Sequence, residues 1–313
     1  MTEVSGPGAS AGWRETGQAV RNWGRWGPGD QRGTMNLVGA EQIRRAVAAV
    51  SAGKLFDLSI PLDSRGPQDG SDRSNPVRLM SVIGGTADGG GAFRYNDDYV
   101  FMPLQAGTQW DALCHVHYDG LMYNAVPADA VDAAGAGRLG IETQSPGVAG
   151  RAVLADVARH EGVRWLHGGS AIGPQLLEDT LRGQDTKLAA GDILLVRTGW
   201  LRMLADQRDR AAFFATEPGL SWQCCAWLHE HGVAAVASDN WALEVLPSEV
   251  PGESFPAHMI LIRDMGMMIG EMFDLDALAA DCAADGIYES LLCAPVLKFT
   301  GGSGTPVAPI AIK

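Results

Sequence analysis

Two apolar rhythms alternate along the chain, and glycine or proline marks most of the switches between them. Residues 41–52 place Ile43, Val47 and Val50 on one helical face, with Gly53 as a stop. Residues 54–62 alternate instead and predict a strand. From 63 to 91 the chain is rich in Gly, Ser, Asp and Pro around one apolar island at 77–83, which predicts a long surface loop. Further strands are expected at 98–104, 150–157, 191–200 and 233–240, with apolar segments at 257–262, where His258 is expected on a strand, and at 268–272. Helical spacing marks 170–182, 223–231 and 274–285, and the tail from Pro295 to Ile312 returns as strands around a Gly-rich turn. No internal repeat interrupts this order. Strands and helices mix without strict β-α-β alternation, so the fold class expected is α/β with a mixed sheet.

One stretch breaks the pattern. Pro103 to Tyr118 sets Gln105, Thr108, Gln109, Asp111, His115 and His117 between apolar runs. Polar groups so placed are costly unless they find partners or do chemistry. If Asp111–Val116 begins a helix, His115 shares a face with Asp111, whose carboxylate would orient the imidazole as a general base. Asp111 is then a ligand for a hard metal ion or the cap of that helix. Glu271 lies inside Met267-Met-Ile-Gly-Glu-Met-Phe273, where a carboxylate calls for a cation, a metal or a proton. Asp239 and Asn240 close a buried strand, a common place for substrate contacts, and Trp110 and His117 are candidates to touch a ligand.

Totals narrow the partners. The chain has 313 residues with 24 basic and 37 acidic side chains, a formal charge of −13, and no Lys/Arg run. Nucleic acid and anionic membranes are therefore not expected partners. Five cysteines form no CxxC pair or regular framework, which fits a reducing cytoplasm. Residues 1–20 are expected to form a flexible arm, and 21–313 a single domain. Competing catalytic motifs are missing: there is no G-x-S-x-G elbow, and Gly301-Gly-Ser-Gly304 lacks the Lys-Ser/Thr of a phosphate loop.

The segment Gln105-Ala-Gly-Thr-Gln-Trp-Asp-Ala-Leu-Cys-His115 resembles the signature of the cyclase family, His-x-Gly-Thr-His-x-Asp-x-x-x-His. That family includes bacterial kynurenine formamidase and isatin hydrolase. Gly107, Thr108, Asp111 and His115 match, whereas glutamines replace the first two histidines. The segments 22–28, 191–200 and 301–312 also resemble family segments in the right order. The resemblance implies a swivelling β/β/α fold, a homodimer or larger homo-oligomer, and hydrolysis of a small amide, lactam or lactone. It implies one or two divalent ions, with Asp111 as a ligand, His258 and Glu271 as a second pair of ligands, and His115 in proton transfer.

The two glutamines bear on the metal. A neutral imidazole binds zinc well, whereas a glutamine offers only a carbonyl oxygen suited to harder ions. Asp111, His258 and Glu271, assisted by Gln105 and Gln109, are expected to hold one Mn, Zn or Mg ion, or none. Gln105 and Gln109 equally suit hydrogen bonding to a substrate amide. The resulting expectation is a hydrolase in which His115, Asp111 and Glu271 do the chemistry on a small molecule. A metal-independent cyclase or dehydratase, and a binding protein that has lost catalysis, remain as alternatives.

Overall fold

The computed structural model describes residues 9–87 and 91–313. Residues 1–8 of the expected arm lie outside that range. The rest of the arm departs from expectation: Ala9–Ala19 is a helix. It buries Trp13 completely, with the indole edge-on to Tyr118 at 5.3 Å between ring centroids. One buried aromatic anchors a helix too short to persist alone.

Nine strands make one mixed sheet. In chain order they are β1 Leu55–Asp57, β2 Gln109–Asp111, β3 Val148–Asp156, β4 Ile193–Arg197, β5 Ala235–Ser238, β6 Met268–Glu271, β7 Glu289–Ala294, β8 Gly304–Pro306 and β9 Ile310–Ile312. Across the sheet they run β1-β9-β7-β3-β4-β5-β6-β2-β8. Strands β3 to β6 are parallel to one another, and antiparallel strands flank them on both sides. This explains the two kinds of strand in the sequence. The central strands are buried on both faces and read as unbroken apolar runs, such as Ile193-Leu-Leu-Val196. Each of those side chains contributes roughly 2 kcal/mol by leaving water.

Three local expectations fail for identifiable reasons. The apolar island at 77–83 is not loop: Val77–Gly85 pairs antiparallel with Tyr95–Phe101 as a separate two-stranded hairpin. Its partner lies beyond a Gly-rich stretch, so neither half shows the pairing alone. No helix follows Asp111; His115 N–H donates to Ala112 O at 3.0 Å, closing a tight turn. His258 is not on a strand either. Pro256–His258 is a helical turn that widens into a π-helix over Met259–Met265. Proline favours that first turn, and the first backbone N–H groups find Glu244 rather than a neighbouring strand.

Candidate active site

The short strand β2 lies between β6 and β8, and its alternation builds the site. Side chains on a strand point to opposite faces in turn, so Gln109 and Asp111 share one face and Trp110 takes the other. The antiparallel register sets Glu271 directly across from Gln109 and Gly270 across from Trp110. Gln109 Nε2 accordingly donates to Glu271 Oε2 at 2.5 Å. On the far face Trp110 is fully buried, edge-on to Phe273 at 5.0 Å. Trp110 therefore belongs to the core, contrary to its expected place against substrate. A Cβ on Gly270 would come within 2.6 Å of Ala237 Cβ and 2.8 Å of the Trp110 ring, so only glycine fits there.

The π-helical segment brings the third group. His258 Nε2 lies 3.3 Å from Glu271 Oε1, and its Nδ1 lies 2.5 Å from Glu244 Oε1. Glu244 also accepts from the backbone N–H groups of Ala257 and His258 at 3.0 and 2.9 Å. Ligand atoms of Asp111, His258 and Glu271 all fall within 4.8 Å of one another, and all three residues are buried.

Charge does not balance in this space. Glu217 is fully buried with both oxygens on the Trp241 and Ala242 amides, and burial, with a further push from the charge of Glu271, holds its pKa well above the usual carboxylate range. Burial, reinforced by the charge of Asp111, raises the Glu271 pKa. Burial alone disfavours the His258 imidazolium, but the hydrogen bonds and charges of Glu244 and Glu271 prevail and push its pKa up to about 10. Most telling is Asp111: both carboxylate oxygens are buried without a hydrogen-bond partner among the described residues, and so is Gln109 Oε1. A buried carboxylate with no donor is costly. Two carboxylates, one imidazole and one amide oxygen are together a donor set that fits a single divalent cation of the harder kind. The Glu244–His258 pair matches the way carboxylates fix the orientation of metal-bound imidazoles.

The remaining expected residues are placed unevenly. His115 is partly exposed, with Nε2 3.8 Å from Asp111 Oδ2, at the outer side of the buried group. Gln105 Nε2 donates to Ser303 Oγ at 3.2 Å and would meet a Cβ on Gly304, the residue paired with Asp111. His117 is exposed. Asp239 is engaged elsewhere, its carboxylate accepting from the Thr198 and Gly199 N–H groups and the Thr198 hydroxyl at 2.6–2.7 Å. Both its oxygens are engaged in fastening the end of β4 to β5, contrary to its expected place against substrate. Asn240 donates to Pro218 O at 2.7 Å and keeps its buried Oδ1 unpartnered.

Three charged residues escaped the sequence reading. Glu244 and Glu217 are described above. Arg73, from the 63–76 loop, sets Nη1 4.0 Å from Glu271 Oε2 and its guanidinium over Trp241 at 5.4 Å. The rule that singled out Glu271, a carboxylate amid apolar neighbours, applies equally to Glu244 between Leu243 and Val245.

Comparison with known proteins fits this geometry. Residues 56–245 match the Cyclase family model, described as "Putative cyclase". The chain therefore belongs to the Cyclase family. A crystal structure described as a novel cyclase is 41% identical, with a TM-score of 0.87, covering 94% of this chain and 100% of its own. Isatin hydrolase A from Labrenzia aggregata, solved with benzyl benzoate, shares the fold at 17% identity and a TM-score of 0.58, covering 85% and 94% of the two chains. A protein titled a "predicted metal-dependent hydrolase" from Bacillus stearothermophilus does so at 16% and 0.53, covering 83% and 98%. No curated protein matches the sequence. No described helix is long and apolar enough to cross a membrane.

Proposed function

We propose that this member of the Cyclase family is a hydrolase that opens a small cyclic or acyl amide or ester with an activated water. The observation that carries the proposal is the buried Asp111–His258–Glu271 group, whose Asp111 oxygens have no partner among the described residues. Such a group is a cost to the fold unless something binds there. The isatin hydrolase neighbour supports the same reaction class at the level of the fold.

Asp111, His258 and Glu271 would hold one divalent ion, with Gln109 Oε1 as a further donor and Mn²⁺ or Mg²⁺ favoured over Zn²⁺ by the oxygen-rich set. Such an ion supplies Lewis acidity toward a carbonyl and lowers the pKa of water. The chain's own residues do the rest. His115, at the outer side of the buried group, accepts a proton from the water as its oxygen bonds to the carbonyl carbon. It returns that proton to the nitrogen or oxygen that leaves as the C–N or C–O bond breaks. Glu244 holds His258 in one orientation through Nδ1. Arg73, stacked on Trp241, presents N–H donors beside Glu271 to an anionic or carbonyl oxygen.

The test is a turnover screen of lactams, lactones and N-formyl amines, isatin included, on protein loaded with Mn²⁺. We expect ring opening or deformylation of at least one class, reduced at least 100-fold by His115→Ala. A substrate that is turned over equally well by His115→Ala would remove the base from this scheme.

A further inference from the structure

The parallel strands β3 to β6 end on one edge of the sheet, with Asp156, Arg197 and Glu271 closing β3, β4 and β6. Open α/β sheets take ligands outside that edge. Glu271 belongs to the candidate active site. Farther along the row, outside β3 and β4, lies a separate cleft of about 590 Å³, a size suited to a small molecule. None of the candidate active-site residues lines it. Its walls carry Arg159, Arg164, Arg197 and Arg202 against one acid, Asp276. Two further acids gather these arginines in pairs. Asp156 accepts from Arg159 Nε at 3.2 Å and Arg197 Nη1 at 2.8 Å. Asp206 lies 2.6 Å from Arg164 Nη2 and 3.0 Å from Arg202 Nε. Arg197 is fully engaged, since its Nε donates to Asp276 at 2.8 Å and its Nη2 to Arg164 O at 3.3 Å. Four guanidiniums thus face three carboxylates, a surplus of one positive charge in a chain of formal charge −13. Among the described residues, no acceptor is hydrogen-bonded to either Nη of Arg159 or Arg202, or to Nη1 of Arg164. Stability does not account for the gathering. Arg159, Arg164 and Arg202 are 54%, 65% and 45% exposed, and ion pairs so exposed contribute little.

We infer that this cleft is a second ligand site, for a small organic phosphate whose phosphate group sits among Arg159, Arg164 and Arg202. A phosphate monoester carries about 1.5 to 2 negative charges near neutral pH and three acceptor oxygens. It can therefore engage several guanidinium forks at once, whereas a single carboxylate fills one. Val163 and Ala279 add apolar wall beside those forks, so a carbon skeleton gains contact that free phosphate lacks. The acidic molecule as a whole repels anions, and retention at this cleft requires its own arginines.

Isothermal titration calorimetry with phenyl phosphate, inorganic phosphate and benzoate tests this. We expect phenyl phosphate to bind with a dissociation constant of about 0.1–1 mM, and the other two about 10-fold more weakly. The double variant Arg159→Gln, Arg202→Gln should weaken phenyl phosphate binding about 10-fold or more. Arg73→Gln, at the candidate active site, should leave that binding unchanged. Asp206→Asn keeps an acceptor oxygen for the arginines and removes a negative charge, so it should tighten binding about 3-fold. A variant that merely misfolds cannot do so. Absence of binding to wild type overturns the proposal, as does equal affinity for inorganic phosphate or benzoate. Binding that Arg73→Gln abolishes and the double variant keeps overturns it too, and so does an Asp206→Asn protein that binds no more tightly than wild type.

Discussion

Asp111 is the residue in greatest tension with its surroundings. It is fully buried, both its oxygens lack partners among the described residues, and its charge raises the pKa of Glu271. Function and stability should therefore oppose one another there. Asp111→Asn is expected to stabilise ion-free protein by about 1 kcal/mol in urea titration, because it removes like-charge repulsion between buried carboxylates. The same variant should lose the stabilisation that Mn²⁺ confers on wild type. Glu244→Gln should act through His258 instead, lowering Mn²⁺ affinity by about 10–100-fold while leaving the circular dichroism spectrum unchanged. A fold that collapses on loss of the Glu244 charge would instead make that residue structural.

Among the elements, β6 bears the tightest constraint. It must pack against β5 on one side and β2 on the other while aiming Glu271 at Asp111 and His258. Gly270 makes this possible by leaving room for Ala237, Phe273 and Trp110. A methyl group there forces strands apart or side chains off their rotamers, at a cost of about 1–3 kcal/mol. Gly270→Ala is thus expected to lower stability by about 2 kcal/mol and to shift Trp110 fluorescence. An unchanged denaturation midpoint would show that the β5–β6 contact is looser than described. The π-helix over Met259–Met265 is the other unusual element, and such wide turns often accompany functional sites.

For the molecule as a whole, the site couples ion binding to folding and to pH. In ion-free protein His258 holds its proton up to a pKa of about 10, against an ordinary value of 6.5. A raised folded-state pKa stabilises fully below 6.5, and that stabilisation is lost as pH rises to about 10. The Glu271 pKa is raised from 4.5 to about 7, so its ionisation penalises the same ion-free fold over that lower range, and the loss above pH 7 comes from His258. A bound cation needs both groups deprotonated and releases their protons. The melting temperature of ion-free protein should therefore fall between pH 7 and 10, and the increment conferred by Mn²⁺ should widen over the same range. Calorimetric titrations in buffers of different ionisation enthalpy should show net proton release on binding. An increment that shrinks as pH rises would contradict the assignment of these ligands.

Much of this was legible in the chain itself. Apolar runs at β3, β4 and β5 announced buried strands, because a strand covered on both faces has no polar side to show. The Gln105–His115 stretch and Glu271 stood out because polar groups amid apolar ones need a reason. Other features depended on approach between distant segments. Nothing local separates Asp239, satisfied by Thr198 and Gly199, from Asp111, satisfied by no protein donor. Trp110 could be assigned to the core only once strand register fixed its face. Glu244 became a partner of His258 only when the turn at Pro256 brought them together. Periodicity reports which side chains are buried; which buried side chains meet, and which remain unpaired, is decided by strand register and chain path in the folded molecule.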